Sequence, residues 1–201
     1  MEIYIIRHGE TVWNTERRLQ GRTDIELNEK GIQLAEVTAE QLKTIPFDKI
    51  YCSPLKRAYH TARILAGGRD IPVIKNDLIK EMSFGEWEGV RDKELIESGS
   101  KFRYFFKEPA LYEPAPSGES FEQICRRAAE FMTSVIEPEA SSCNRIMIVA
   151  HGAINKAMMM HVRKSDVANF WAGGLQKNCG TIILDYTDGV YTILEENRIY
   201  Y

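Results

Sequence analysis

An arginine and a histidine stand side by side where a short apolar run ends: Ile3-Tyr4-Ile5-Ile6-Arg7-His8-Gly9. Arg7 offers a planar fork of donors that matches the oxygens of an oxyanion such as phosphate. His8 can be neutral at physiological pH and can therefore act as a nucleophile. A second histidine follows a second apolar run, Ile146-Met147-Ile148-Val149-Ala150-His151-Gly152. Strand ends in one sheet lie side by side, so His8 and His151 could meet over one pocket. Arg57 falls in the first turns of a helix expected after Ser53-Pro54. Helix N-termini attract anions. Arg7, His8, Arg57 and His151 would together form a cationic cup for a phosphoryl group. Taken singly, each has an ordinary alternative: a strand end whose Arg and His face solvent, or a solvated helical Arg57.

The elements that must position these residues follow from periodicity and punctuation. Ile3–Ile6 has the length and Ile content of a buried strand. Gly9 lets the chain turn away. The charged segment to Gln20 reads as a short helix or loop over the strand end. Asn28 is expected to cap a helix whose face is Leu34, Ala35, Thr38, Ala39 and Leu42, ended by Pro46. Phe47–Cys52 is the second strand. Ser53 is expected to cap the next helix, with Pro54 at its first position, running to about Leu65 and stopping at Gly67-Gly68. Ile71–Ile74 is a brief third strand.

Leu78–Gly89 reads as loop and Arg91–Glu97 as a short helix. Phe102, Tyr104, Phe105, Phe106 and Tyr112 crowd into one window followed by Pro114 and Pro116. This stretch, 98–118, reads as an insertion that could fold over the strand ends as a lid. Its rings could equally close a secondary core. Ser120, with Gln123 three residues on, should open the longest helix through a capping box, and Pro138 should close it. A helix follows His151 through Met160, then a short one over Ser165–Trp171. Thr181–Asp185, Asp188-Gly189 and Val190–Leu194 read as a hairpin. The whole is expected to be an α/β protein, three layers α/β/α around a mostly parallel mixed sheet, with one domain spanning 1–201.

Composition narrows the function classes. A net charge of −3 argues against a general nucleic-acid binder, without excluding a local basic pocket. Cys52, Cys125, Cys143 and Cys179 show no CxxC pair and no metal-ligand spacing, and Cys52 and Cys125 fall on apolar faces as buried thiols. The chain opens directly on a strand, so no signal peptide is expected. No apolar run approaches ~20 residues, so no membrane contact is expected. A reducing cytoplasm fits these features. No metal or other cofactor is expected, and the oligomeric state is left open.

Arg7-His8-Gly9-Glu10-Thr11-x-x-Asn14 and Gln20-Gly21-x-x-Asp24-x-x-Leu27-x-x-x-Gly31 resemble the histidine phosphatase superfamily, in its phosphoglycerate-mutase-like branch. The likeness continues at Ser53-Pro54-Leu55-x-Arg57-Ala58-x-x-Thr61-Ala62 and at Glu81-x-x-Phe84-Gly85-x-Trp87-Glu88-Gly89. Gly118-Glu119-Ser120 and Ala150-His151-Gly152 complete it, in the family's order. The resemblance implies a phosphoglycerate-mutase-like fold. It implies that His8 becomes phosphohistidine, that Arg7, Arg57 and His151 bind phosphoryl oxygens, and that Glu81 is the proton donor. It implies secondary phosphate or substrate contacts from Asn14, Gln20 and the Gly152 N–H. Without it, Glu81 would read as an ordinary surface acid.

Mutases of this branch usually carry Arg-His-Tyr after the donor glutamate. Here Met82-Ser83-Phe84 follows Glu81. The Gln20-Gly21 and Phe84–Gly89 blocks look more like the phosphatases, including alpha-ribazole phosphatases and sugar-phosphate phosphatases. The expected partner is a small phosphorylated metabolite, and the expected reaction is metal-independent hydrolysis of its monoester. The alternatives are a cofactor-dependent phosphoglycerate mutase and a non-catalytic phospho-ligand module.

Overall fold

Strand β1 (Glu2–Arg7) is the spine of a six-stranded sheet, described here, with every other residue from 1 to 201, from a computed structural model. Along the chain follow α1 (Val12–Thr15), α2 (Glu29–Leu42), β2 (Lys49–Cys52), α3 (Lys56–Ala66) and β3 (Val73–Lys75). Next come α4 (Asp92–Glu97), α5 (Phe121–Phe131), α6 (Glu137–Glu139), β4 (Arg145–Ala150), α7 (Gly152–Arg163), β5 (Thr181–Thr187) and β6 (Val190–Arg198). The strand order is β3-β2-β4-β1-β5-β6. The first four are mutually parallel, and β5 and β6 run antiparallel.

Alternation along the strands builds two cores. Ile3 and Ile5 of β1, with Ile146 and Ile148 of β4, face one side and pack under α5 and α7 with Ile124, Phe131 and Ile154. Tyr4 and Ile6, with Met147 and Val149, face the other side and pack under α2 and α3 with Leu42, Ala62 and Leu65. Both faces of β1 and β4 are therefore dry, as in covered parallel sheets. The architecture is three-layer α/β/α with a mixed sheet. The chain leaving β1 turns toward the α2 face and the chain leaving β4 enters α7 on the opposite face. The crevice between their C-terminal ends is a topological switch point, where open α/β sheets place ligands. No helix is long and apolar enough to cross a membrane.

Several local expectations need correction. Ser53 does not cap α3: the N-cap is Leu55, with no side-chain bond of its own, and Asp24 from a distant loop takes the Lys56 N–H at 2.7 Å. Pro138 does not end the helix begun at Ser120. The Ser120–Gln123 capping box is present, but α5 passes through a π-helical turn, Met132–Ile136, into α6 with Pro138 inside. The wider turn accommodates the missing proline N–H. As a single regular helix, α2 with 14 residues is longer than α5 with 11. The third strand is shifted to Val73–Lys75, and the helix expected over Ser165–Trp171 is a 3₁₀ turn at Val167–Asn169. Cys52 is buried as expected, whereas Cys125 is only half-buried.

The turn after β1 is set by backbone against backbone. A Cβ on Gly9 would lie 2.5 Å from the Gly31 carbonyl oxygen, and one on Gly31 would lie 2.0 Å from the Glu10 carbonyl oxygen. Neither contact can be relieved by a flexible side chain. Gly31→Ala should therefore cost about 1–3 kcal/mol of stability by overpacking. The expected readout is a lower urea midpoint at unchanged slope, and an unchanged midpoint would refute the tight-approach argument.

Candidate active site

Register brings the two histidines together. Arg7 pairs with Ala150 across the parallel β1–β4 ladder, so His8 and His151 leave adjacent strand ends. The His8 N–H donates to the Ala150 carbonyl at 2.9 Å, and the imidazole centroids lie 5.1 Å apart. His8 Nδ1 lies 2.6 Å from the Gly9 carbonyl oxygen. A carbonyl can only accept, so Nδ1 carries the proton and Nε2 keeps the lone pair. Gly9 is fixed in turn, its N–H donating to Thr61 Oγ1 at 3.0 Å.

Two guanidinium groups, of Arg57 and Arg7, act on the ring. Arg57 is fully buried, donating to the Thr23 and Gly21 carbonyls at 2.9 and 2.7 Å. Arg7 donates to the Gln176 carbonyl at 2.6 Å. The Nε atoms of both arginines are buried without a partner, as are both ring nitrogens of His151 and Gln20 Oε1. Buried polar atoms are normally paired, so this concentration of unpaired ones marks a place built to bind something polar.

Burial dominates the electrostatics. It lowers the Arg57 pKa to about 10 and also lowers that of Arg7, against the pull of Glu81 on each. Burial first, then the Arg57 charge, holds the His8 pKa well below the usual imidazole value; Arg7 adds to the effect, and the Gly9 hydrogen bond opposes it. His151 is depressed likewise, by burial and then Arg57. Both imidazoles are neutral at physiological pH. Cations close to a neutral ring are the arrangement an attacking lone pair and an incoming anion require.

Glu81 sits opposite, on the N-terminus of α7. Its Oε1 accepts from the Met82 and Ile154 N–H groups at 2.8 and 3.1 Å, and its Oε2 from the Ala153 N–H at 3.1 Å. Gly152 separates Glu81 from Arg7: a Cβ there would lie 3.7 Å from Glu81 Oε2 and 3.8 Å from the Arg7 guanidinium carbon. The Gly152 N–H, first in the helix, has no intrahelical acceptor.

A cavity of about 260 Å³ opens over these groups. Arg7, His8, Asn14, Gln20, Arg57, Glu81 and Gly152 all line it, and the His151 ring, outside the lining, lies 5.1 Å from that of His8. Asn14 Oδ1 is taken by Thr11 and Asn178, which leaves its amide nitrogen for the cavity. Its upper wall is apolar: Trp13, Leu19, Phe84, Trp171 and Leu175, with Phe105 and Phe106 from the aromatic window. Most other rings of that window go to the core: Phe102 and Tyr112 are buried, and Phe105 also stacks on Phe121 at 5.1 Å.

Sequence reasoning missed the residues that hold the cup together. Gln176 accepts from Arg7 through its carbonyl and is itself pinned by bonds to Asn155, Ile5 and Gly180. Arg127 donates to the Leu78, Lys80 and Glu81 carbonyls and pairs with Glu119 at 2.9 Å, fixing the loop that carries Glu81. Glu88 ties the Arg22–Thr23 backbone to Phe84 and so steadies the carbonyls that hold Arg57. Glu88 and Glu119 do stand inside the resembling blocks. Gln176 lies in a loop with no periodicity and carried no signal. No group of three or more His, Cys, Asp or Glu side chains is placed to hold a metal ion.

The neutral, buried imidazoles imply a pH dependence of stability. In the unfolded chain each takes a proton near the ordinary value of 6.5, whereas in the folded chain each stays neutral to lower pH. Below that value the unfolded state binds more protons, so stability is full above it and falls with pH, by at most about 1.4 kcal/mol per pH unit for each histidine. Urea denaturation between pH 7.5 and 5 should show this loss, with a shallower slope in His151→Asn. Equal slopes in the two proteins would contradict it.

A 2,3-bisphosphoglycerate-dependent phosphoglycerate mutase of Cytophaga hutchinsonii is 34% identical over 81% of this chain and 77% of its own. An adenosylcobalamin/alpha-ribazole phosphatase of Salmonella typhimurium is 29% identical over 96% of this chain and 94% of its own. The solved structure of Bacillus stearothermophilus YhfR superposes with a TM-score of 0.91 at 32% identity, covering 98% of this chain and 97% of that one. The sequence pattern of the histidine phosphatase superfamily (branch 1) matches residues 3–199, and the chain belongs to that family.

Proposed function

We propose that the protein is a phosphatase that hydrolyses a small organic phosphomonoester through a phosphohistidine on His8. One observation carries this reading. His8 has Nδ1 committed to the Gly9 carbonyl, and its neutral ring lies near two arginines whose Nε atoms are buried and unpartnered. In the first step the Nε2 lone pair forms a bond to phosphorus while the bond to the ester oxygen breaks. Arg7, Arg57 and His151 stabilise the charge spread over the phosphoryl oxygens. Glu81 gives the departing alkoxide a proton. In the second step water attacks phosphorus, Glu81 takes its proton, and phosphate leaves with His8 regenerated. Asn14, Gln20 and the Gly152 N–H bind peripheral oxygens. The reaction needs no metal, because cationic side chains neutralise the phosphoryl charge.

Phe105 and Phe106 of the 98–118 stretch stand in the cavity wall. Flat apolar walls above a polar floor are what a ring-bearing ester would fill. Alpha-ribazole phosphate and sugar phosphates are candidates of the right kind. The competing reading is a phosphoglycerate mutase, favoured by the relative of that name. Met82 and Ser83 after Glu81 weigh against it.

The deciding experiment measures p-nitrophenyl phosphate and a panel of phosphomonoesters with EDTA present, beside a 3- to 2-phosphoglycerate assay with bisphosphate primer. The expected outcome is hydrolysis that survives chelation, inhibition by vanadate, and trapping of acid-labile, base-stable phosphate by rapid quench. His8→Ala should abolish turnover. Mutase turnover above every hydrolysis rate, or full activity of His8→Ala, would overturn the proposal.

Glu81→Gln separates the acid role from mere binding. Only a poor leaving group needs the proton, so alkyl esters should lose about 10²–10⁴-fold in kcat and aryl esters far less. Equal losses on both would show that Glu81 is not the acid.

A further inference from the structure

The same cavity has a second polar feature besides the phosphoryl cup. Arg17 and Asp92 line its outer wall and also line an adjoining cleft with Glu16, Arg91 and Lys93. Their ion pair stands between the two spaces. It is a built contact: Arg17 Nε and Nη2 both donate to Asp92 Oδ2, at 3.0 and 2.6 Å, and the Asp92 N–H donates to the Arg17 carbonyl at 3.0 Å. Segments 17–19 and 89–92 are laced antiparallel around it, through the Arg18–Arg91 bridge and the Leu19–Val90 bond. Arg17 sits at φ +56°, a left-handed backbone uncommon for a residue with a side chain. The Asp92 side chain is 13% exposed and that of Arg17 is 76% exposed. Both arginine bonds fall on one carboxylate oxygen. Arg17 Nη1 and Asp92 Oδ1 make no hydrogen bond within the protein, so the ion pair keeps one free donor and one free acceptor.

We infer that this pair binds the alcohol portion of the substrate and selects a vicinal diol, as in a phosphorylated sugar or polyol. The inference rests on the phosphatase reading and adds residues that determine specificity. One hydroxyl of a diol accepts from the guanidinium while its neighbour donates to the carboxylate, and both bonds are charge-assisted. Trp13, which also lines the cavity, supplies a flat wall for the carbon face of the same ring. The pair is neutral as a whole, which matches an uncharged polyol. A substrate carboxylate reaching for Arg17 would be set against the Asp92 carboxylate, a like-charge contact that costs affinity.

Ribose 5-phosphate and 2-deoxyribose 5-phosphate differ by one hydroxyl of the diol. Their kcat/KM ratio in the unaltered protein should be about tenfold or more in favour of ribose, the loss typical of one hydrogen bond to a charged group. In Arg17→Ala and in the near-isosteric Asp92→Asn the ratio should fall to within about twofold, mainly through KM. A ratio near one in the unaltered protein would overturn the inference whether or not the variants fold. So would a ratio unchanged in folded variants, or O-phosphoserine losing more than ribose 5-phosphate in Arg17→Ala, which would mark a zwitterion site instead. Turnover of p-nitrophenyl phosphate in the same runs separates these failures from failure of the phosphatase reading itself, in which no ester would be hydrolysed.

Discussion

The parallel pairing of β1 with β4 is the constraint on which the rest of the site depends. It sets Arg7 beside Ala150 and lets the His8 N–H close the ladder on the Ala150 carbonyl. The side-chain period of a strand is two, so a one-residue slip would send Ile3 and Ile5 to the wrong core and turn the strand ends over. Burial on both faces makes that slip costly. The hydrophobic layers thus determine where two histidines stand, although neither histidine contributes much to the core.

Charge is then concentrated where apolar packing would normally exclude it. Arg57 is fully buried and Arg7 half-buried, close to two imidazoles and one carboxylate. Backbone carbonyls of Gly21, Thr23 and Gln176 hold the guanidinium groups, and the α7 N-terminus holds Glu81. Glu88, which accepts from backbone N–H groups, and Glu119, which pairs with Arg127, steady the loops that present those carbonyls and Glu81. Groups fixed before a ligand arrives need not reorganise when charge develops. The same burial keeps His8 neutral, so the device that organises the cations also preserves the lone pair.

Above the cup the molecule changes character. Aromatic rings from three separate segments, around Trp13, Phe105 and Trp171, meet over the strand ends, and the Trp171 indole N–H donates to the Phe105 carbonyl at 2.6 Å. In the proposed reaction the floor takes the phosphoryl group, which every candidate ester shares. The apolar wall and the Arg17–Asp92 pair are then left for the part that differs between esters.

Much of the site was legible in the chain because its strongest signals are local. An apolar run ending in Arg-His-Gly, a second ending in His-Gly, and the period of α2 and α5 are each contained in a few consecutive residues. Local burial and turn chemistry govern them directly. What tertiary structure alone decided involves groups far apart in sequence: Asp24 capping α3, Gln176 holding Arg7, Arg127 holding the Glu81 loop, and Arg17 meeting Asp92 across 75 positions. Such contacts leave no periodicity, since each is one polar side chain answering a backbone group brought near by packing. The Ser53 cap and the Pro138 stop failed for that same reason. Local propensity favoured them, but the competing partners, a distant carboxylate and a helix layer packed on the sheet, exist only once the chain has folded.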